Sequence, residues 1–283
     1  MKNNKPLFKF LILSFFALVI HSCVNVFRLA DLRGEHFIEK NEEQKARILL
    51  TKMGTAHGIE NWKGLNNYTV RFTEEFFGFA GQQLNPYKNE ITSLRASYIP
   101  KKNFGRLEIT SGREQGTDWG IQENKAYMVF EDELKETVDL VIRNWVPKYQ
   151  SLFEFVSRIQ SANSLSYLGK DTINGTSCDQ IFATWNSSTP QKNVDQYVIW
   201  IDDSTHQVTK LEFTSRTVSK HANESVYFSN YNNYEGIIIP SEISFESNLK
   251  RKSILHKITI YGFEKNYTQQ QALQPIEILD ELE

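Results

Sequence analysis

Cysteine is scarce in this sequence. Among 283 residues there are only two cysteines, Cys23 and Cys178, so a scaffold held together by disulfides is excluded. Cys178 lies in a strand-like stretch, Thr176–Phe182, and we expect it to be a small buried hydrophobic side chain rather than a reactive thiol. Aromatic residues are plentiful at 13%, which excludes disorder for most of the chain.

An excess of positive charge is also missing. The chain has 32 basic and 34 acidic residues. Residues 1–22 contain three lysines and no acid, so without them 29 basic residues face 34 acidic ones and the net charge is −5. Because phosphate binding needs a basic surface, nucleic acid is excluded as a partner.

The usual catalytic and metal-binding motifs are absent. There is no Gly-x-Ser-x-Gly elbow, no phosphate-binding glycine loop, and no pair of histidines at metal-ligand spacing. We therefore predict no catalytic residue, no metal and no cofactor, and do not expect an enzyme. His57 follows the first predicted helix, where the helix dipole favours a histidine without any chemistry.

Long hydrophobic runs are missing, and this decides how the N-terminus is interpreted. The apolar run Phe10–Ile20 follows three lysines and is too short to cross a membrane as an ordinary helix, so it is typical of a secretory signal peptide. His21-Ser22-Cys23 then resembles the lipobox of bacterial lipoproteins, although His21 departs from the usual pattern. This resemblance implies removal of residues 1–22, acylation of Cys23 with chains such as palmitate, and a tether over residues 23–41.

Residues 42–268 are predicted to form a single α+β domain, followed by a loose tail over 269–283. Asn41 begins a helix whose apolar stripe comprises Ala46, Leu49, Leu50 and Met53. Alternating strands follow up to about residue 130, then a helical region over 132–162 with an acidic start at Asp132–Glu136 and a break or kink at Pro147. From residue 164 onward, the spacing of turns predicts an antiparallel meander.

Two segments carry apolar side chains over a wide surface. The helical segment 147–160 is either a helix packed on the core or a lid whose aromatic side faces a lipid-like ligand. On the strand near 194–202, Tyr197, Ile199 and Ile201 face one way and Val198 and Trp200 the other. A strand with apolar residues on both faces belongs to a sheet that either packs against a helix layer or curves around a cavity.

Three segments together resemble bacterial lipoprotein-sorting proteins of the LolA/LolB type, in the form found in Bacteroidota lipoproteins. They are the opening helix with its Gly-turn-Trp stretch, Lys45–Trp62, in which Ile59 replaces a second glycine; the hairpin Tyr167–Thr176; and the meander signatures Tyr197–Leu211 and Tyr231–Pro240. The resemblance covers residues 42–264 and implies a strongly curved antiparallel sheet, an incomplete β-barrel, closed by a few helices around an apolar cavity. It implies no catalytic residues.

Three functions remain open at this stage. The first is an envelope lipoprotein, anchored at the outer membrane through Cys23 on its periplasmic face or at the surface, that binds a lipid or another apolar ligand and has a role in lipid or lipoprotein handling. Its predicted cavity and lid residues are Tyr149, Phe153, Phe155, Val156, Trp200 and Phe228. The second is a structural or interaction lipoprotein with a filled core and no small ligand, and the third is an extracytoplasmic hydrolase. An open apolar pocket under the 147–160 helix favours the first, and a filled one favours the second.

Overall fold

The computed structural model describes residues 27–33, 41–214, 216, 223–247, 253–268 and 270–275. Cys23 and the predicted signal peptide lie outside the described residues, as does most of the predicted tail. Within that tail, Gln270–Leu273 forms a 3₁₀ helix, and Leu273 is buried against Ile99 and Phe104.

Six helices and thirteen strands make up the described part of the chain. The helices are α1 (Leu29–Leu32), α2 (Glu42–Ala56), α3 (Ile59–Lys63), α4 (Gly78–Leu84), α5 (Leu140–Phe153) and α6 (Phe155–Ile159). The strands are β1 (Tyr68–Phe76), β2 (Ile91–Tyr98), β3 (Phe104–Ile109), β4 (Thr117–Gln122), β5 (Lys125–Phe130), β6 (Glu133–Thr137), β7 (Ser164–Ile173), β8 (Thr176–Thr184), β9 (Tyr197–Asp202), β10 (Val208–Thr214), β11 (Asn223–Tyr234), β12 (Ile237–Glu246) and β13 (Ile254–Lys265). Of these helices, none is long and apolar enough to span a membrane.

All thirteen strands belong to one antiparallel sheet. Its order is β6-β5-β4-β3-β2-β1-β13-β12-β11-β10-β9-β8-β7, so the first strand pairs with the last and joins two meanders. The two edge strands, β6 and β7, do not pair with each other among the described residues, and the sheet is not closed. The predicted fold class, an α+β protein with an open antiparallel sheet and a few helices, is confirmed.

Alternation along the central strand explains how the sheet meets the helices. Along β1, Val70, Phe72 and Glu74 are buried on one face. The Phe72 ring lies 5.2 Å from the Tyr149 ring and 5.4 Å from the Phe153 ring, both of which belong to α5. The main core therefore lies between the inner face of the sheet and the helix layer.

The predicted position and apolar stripe of the first helix of the domain are confirmed, but the predicted capping role of Asn41 is not. Helix α2 begins at Glu42 and buries the predicted stripe. Asn41, however, adopts the left-handed conformation, and its side chain makes no capping hydrogen bond. Two short helices, α3 and α4, are not among the predicted elements, because segments of 5 and 7 residues are too short to show a helical repeat of apolar positions.

The predicted helical region 132–162 needs two corrections. Glu133–Thr137 is strand β6, because it pairs with β5 and the backbone bonds of the sheet outweigh the local helical preference of its acidic residues. The helix begins at Leu140, where the Asp139 carboxylate accepts a hydrogen bond of 2.7 Å from the Val141 amide. Pro147 lies within a continuous α5, and the interruption falls at Glu154.

The N-terminal segment 27–33 packs on the outer face of the sheet. Phe27 and the helix α1 contact a second apolar cluster that includes Cys178, Val198 and Trp200. The Gln196 side chain fixes this segment with two hydrogen bonds of 2.9 Å to the backbone of Phe27. Cys178 is fully buried, which raises the pKa of its thiol, so the predicted role of a small buried side chain is confirmed.

Candidate ligand-binding cleft

Two spaces adjoin the helices α5 and α6, and both have apolar side chains in their walls. The larger, here called the cleft, has a volume of about 750 Å³. It lies between the two helices on one side and strands β9–β12 on the other. The smaller, here called the inner pocket, has a volume of about 30 Å³ and lies deeper, between α6 and the inner face of the sheet. Leu152 and Phe155 line both spaces and form the wall between them.

The break between α5 and α6 is held by a buried carboxylate. Glu154 is 1% exposed and accepts hydrogen bonds from the Tyr68 hydroxyl (3.0 Å), the Gln150 amide (2.8 Å), the Arg158 Nε (3.0 Å) and the Lys101 backbone amide (3.0 Å). These four donors tie the junction to β1 and to the β2–β3 turn. Because the junction is fixed, α6 is held in the orientation that places Phe155 in the wall of the cleft.

Aromatic side chains form much of the apolar wall of the cleft. The Tyr197 ring stacks on the Phe213 ring at 5.9 Å, meets the Trp185 indole edge-on at 5.8 Å, and lies 5.9 Å from the Phe155 ring. Leu152, Ile159, Leu211 and Phe245 complete this wall. An apolar wall of this kind suits a hydrocarbon chain.

Charged groups stand at the rim of the same cleft. The Lys148 ammonium on α5 forms an ion pair of 2.9 Å with Glu224 on β11, which connects the helix layer to the opposite wall. Lys148 also lies 5.1 Å above the Phe245 ring. Asp195 lies farther along the cleft, where burial raises the pKa of its carboxyl.

The inner pocket is nearly filled by side chains. Its volume of about 30 Å³ suits one water molecule rather than an acyl chain. Among the predicted site residues, Phe153, Phe155, Val156 and Phe228 line this pocket, so the structure brings four of the six together. Only Phe155 also reaches the cleft.

Tyr149 lies outside both spaces. Its hydroxyl donates a hydrogen bond to the carboxylate of Glu74, and it lies 2.7 Å from the hydroxyl of Tyr87. The other oxygen of Glu74 is 2.6 Å from the Nδ1 of His256. All four side chains are buried, so this polar network stabilises the core and leaves Tyr149 unavailable to a ligand in the cleft.

Trp200 lies on the outer face of the sheet. It belongs to the cluster that packs under α1, and its indole donates a hydrogen bond of 2.9 Å to Asp171. The predicted alternation of β9 is confirmed, because Tyr197 and Ile199 belong to the main core and Val198 and Trp200 to the outer cluster. That alternation could have identified Tyr197 as the cleft residue in place of Trp200, whereas Phe213, Phe245 and Lys148 carried no distinct sequence signal.

His57 has a different role from the one its position suggested. Its Nδ1 donates to the carbonyl of Ile238 at 3.0 Å, and its Nε2 accepts from the amide of Val208 at 3.2 Å. Burial lowers the pKa of this ring to about 4, so the imidazole is neutral at pH 7 and gains nothing from the helix dipole. It connects the end of α2 to β10 and β12.

In the described ranges, no three His, Cys, Asp or Glu side chains lie close enough together to hold a metal ion. The buried pair Glu74–His256 does not line the cleft. The side chains that line the cleft offer a ligand apolar contact, charged groups such as Lys148 and neutral hydrogen-bonding groups such as Asn144 and Ser157.

Comparison with solved structures identifies the fold. A DUF1329 family protein from Desulfovibrio piger superposes with a TM-score of 0.55 at 11% identity, over 82% of this chain and 97% of that one. A protein domain from Vibrio parahaemolyticus described as outer-membrane lipoprotein-sorting gives 0.51 at 12% identity, over 82% and 97%. A LolA superfamily protein from Nitrosomonas europaea gives 0.50 at 13% identity, over 81% and 96%.

These similarities show that the fold is of the LolA type, as the resemblance of the sequence implied. No family model matches the sequence, and no curated protein matches it either. The assignment to a Bacteroidota subgroup stays a prediction.

Proposed function

We propose that this protein binds the hydrocarbon chain of a lipid in the cleft beside α5 and α6. The observation that carries the proposal is the size and lining of the cleft. Its volume of about 750 Å³ lies within the range of about 300–1,000 Å³ for small-molecule sites. Each methylene group buried against its wall contributes about 0.8 kcal/mol.

A binding role is favoured over catalysis. The carboxylate–histidine pair nearest to a catalytic arrangement, Glu74 and His256, is buried in the core and does not line the cleft. Similarity of fold to a lipoprotein-sorting domain supports a role in the handling of lipids or lipoproteins in the cell envelope.

We propose in addition that a lipid on Cys23 anchors the domain to a membrane with the cleft nearby. Cys23 precedes Phe27 by four residues, a span of at most about 14 Å. Phe27 is hydrogen-bonded to Gln196, whose two neighbours Asp195 and Tyr197 both line the cleft. A lipid at Cys23 would therefore hold this end of the cleft close to the membrane surface.

Replacing Ser157 by Trp tests ligand binding. Ser157 lies on α6 and lines the cleft, so an indole there occupies space that the ligand needs. We expect the affinity for a radiolabelled C16 fatty acid to fall at least about tenfold, measured by equilibrium binding. Ser229→Trp, at an exposed position on β11, is the control and should bind normally. Equal affinity in both variants would place the ligand elsewhere.

Replacing Cys23 by Ser tests the anchor. Without the thiol that carries the lipid, the protein is expected to move from the membrane fraction to the soluble fraction after cell lysis, as measured by sedimentation and immunoblotting. Cys178→Ala is the control, because that thiol is buried under α1, and this variant should stay with the membranes. Sedimentation of the Cys23→Ser variant with membranes would contradict the anchor.

The second candidate is an envelope interaction protein without a small ligand. The observation that favours it is the filled inner pocket, since the space directly under α6 holds about 30 Å³. Mass spectrometry of lipids extracted from the purified protein separates the two candidates: co-purified lipid supports the binding role, and a lipid-free protein that also fails to bind fatty acid supports the interaction role.

A further inference from the structure

We propose that the cleft selects amphiphiles with an anionic head group, and that Arg143 and Lys148 hold this head. The inference rests on the proposed function and adds the chemical class of the ligand. Its basis is the distribution of charge and apolar surface along one cleft.

Positive charge exceeds negative charge among the described residues that line the cleft. Lys101, Arg143, Lys148 and Arg158 face Asp195 and Glu224. Arg158 is compensated by Glu154, and within the described ranges no carboxylate pairs with the guanidinium of Arg143. An anionic head is therefore attracted to this rim and a cationic head is repelled.

Polarity changes along α5, which gives the bound ligand a direction. Arg143 and Lys148 are five residues apart on one helix, a rise of about 7.5 Å, and both line the cleft. Farther along the same wall come Leu152 and then Phe155, opposite Tyr197 and Phe213. A head held near Arg143 and Lys148 would place its chain along the apolar wall.

Lys148 is already arranged to receive an anion. Its side chain is 30% exposed and its partner Glu224 is 24% exposed, so the pair is only partly screened by solvent. The ammonium lies 5.2 Å above the Trp145 ring and 5.1 Å above the Phe245 ring, which limits the positions it can adopt. Glu224 competes with any bound anion for this ammonium and also repels that anion.

The two partners of this ion pair therefore predict effects of opposite sign. Lys148→Gln and Arg143→Gln should each weaken the binding of an anionic amphiphile about fivefold, and Glu224→Gln should strengthen it about threefold. A purely structural ion pair would give the same direction of change from either side, because both substitutions break it. Lys125→Gln, which breaks an exposed ion pair with Glu136 on β5 and β6, is the matched control.

The experiment uses the full-length chain, immobilised through its C-terminus and washed free of detergent. Four radiolabelled C16 ligands are compared: hexadecanoate, hexadecyl phosphate, hexadecanol and hexadecyltrimethylammonium. We expect both anions to bind more tightly than hexadecanol and the cation more weakly, with hexadecanol insensitive to the three substitutions. A preference for the phosphate over the carboxylate would indicate a phosphorylated lipid, and the reverse a free fatty acid.

Each outcome has a separate meaning. If hexadecanol binds as tightly as the anions, or if Glu224→Gln weakens the binding of the anions, the head-group inference is overturned while the proposed function stands. If no C16 ligand binds, both are overturned. Thermal unfolding of each variant shows whether the fold is intact, and Arg143→Gln provides the second substitution if Lys148→Gln fails to fold.

Discussion

Replacing Glu74 by Ala is expected to lower the free energy of unfolding by about 3–5 kcal/mol. The Glu74 side chain is fully buried and accepts hydrogen bonds from His256 on β13 and from Tyr149 on α5. Its removal leaves His256 and one of the two hydroxyls of the Tyr87–Tyr149 pair in the core without an acceptor, and a buried donor without a partner is costly. The change can be measured by urea unfolding followed by circular dichroism.

The surroundings of His256 make this loss difficult to repair. Its ring stacks between Phe245, at 3.9 Å, and Phe76, at 5.1 Å. Burial, followed by the nearby carboxylate of Glu74, raises the pKa of Tyr149, so this hydroxyl remains a donor at neutral pH. The neighbouring phenylalanine rings offer no acceptor oxygen in place of the lost carboxylate.

Two companion variants test the cause of the loss. Glu74→Gln keeps an acceptor oxygen in the same place and is expected to cost less than Glu74→Ala. Glu75→Ala removes the half-exposed neighbouring carboxylate and should change the free energy of unfolding by less than about 0.5 kcal/mol. Equal losses from Glu74→Ala and Glu75→Ala would show that the buried network contributes little.

Acid is expected to destabilise the protein through His57 by about 3 kcal/mol between pH 6.5 and pH 4. In the folded chain burial lowers the pKa of His57 to about 4, against an ordinary value of 6.5. The unfolded chain therefore takes up a proton at a higher pH than the folded chain does. The contribution of His57 to stability is complete above pH 6.5 and is lost as the pH falls towards 4.

The geometry explains why protonation is unfavourable. The Nε2 of His57 accepts a hydrogen bond from the Val208 amide. A proton on that nitrogen would place an N–H group opposite the Val208 N–H group, with no acceptor between them. The Tyr231 ring, 5.1 Å away and edge-on, also excludes water from this site. Protonation would therefore separate the end of α2 from strand β10.

His57→Gln isolates this effect from the other titrating groups. The variant should be less stable than the wild type at pH 7, but its stability should fall less steeply between pH 6.5 and pH 4. Urea unfolding of both proteins at half-unit steps of pH measures the two slopes. Parallel slopes would contradict the role assigned to His57.

The sequence predicted the fold more completely than the site. Hydrophobic alternation identified the meander, and the stripe of α2 was correct to the residue because Ala46 and Leu50 repeat at helical spacing. The prediction that a helix starts at 132–136 was wrong, because pairing with β5 outweighs the helical preference of the acidic residues in this stretch. Of the six predicted ligand residues, four line the inner pocket, but only Phe155 reaches the cleft that the proposal uses.

By itself the sequence determined the fold class, an α+β chain with a long antiparallel meander, and it also predicted an N-terminal segment typical of exported lipoproteins. These features follow from local periodicity and composition, which a linear chain displays directly. The tertiary structure alone decided that the space under α6 is nearly filled and that the open cleft lies beside it. It also decided that Lys148 meets Glu224 across that cleft. Residues 76 positions apart come together only because strand order and helix packing place them there, and no local pattern records such a contact.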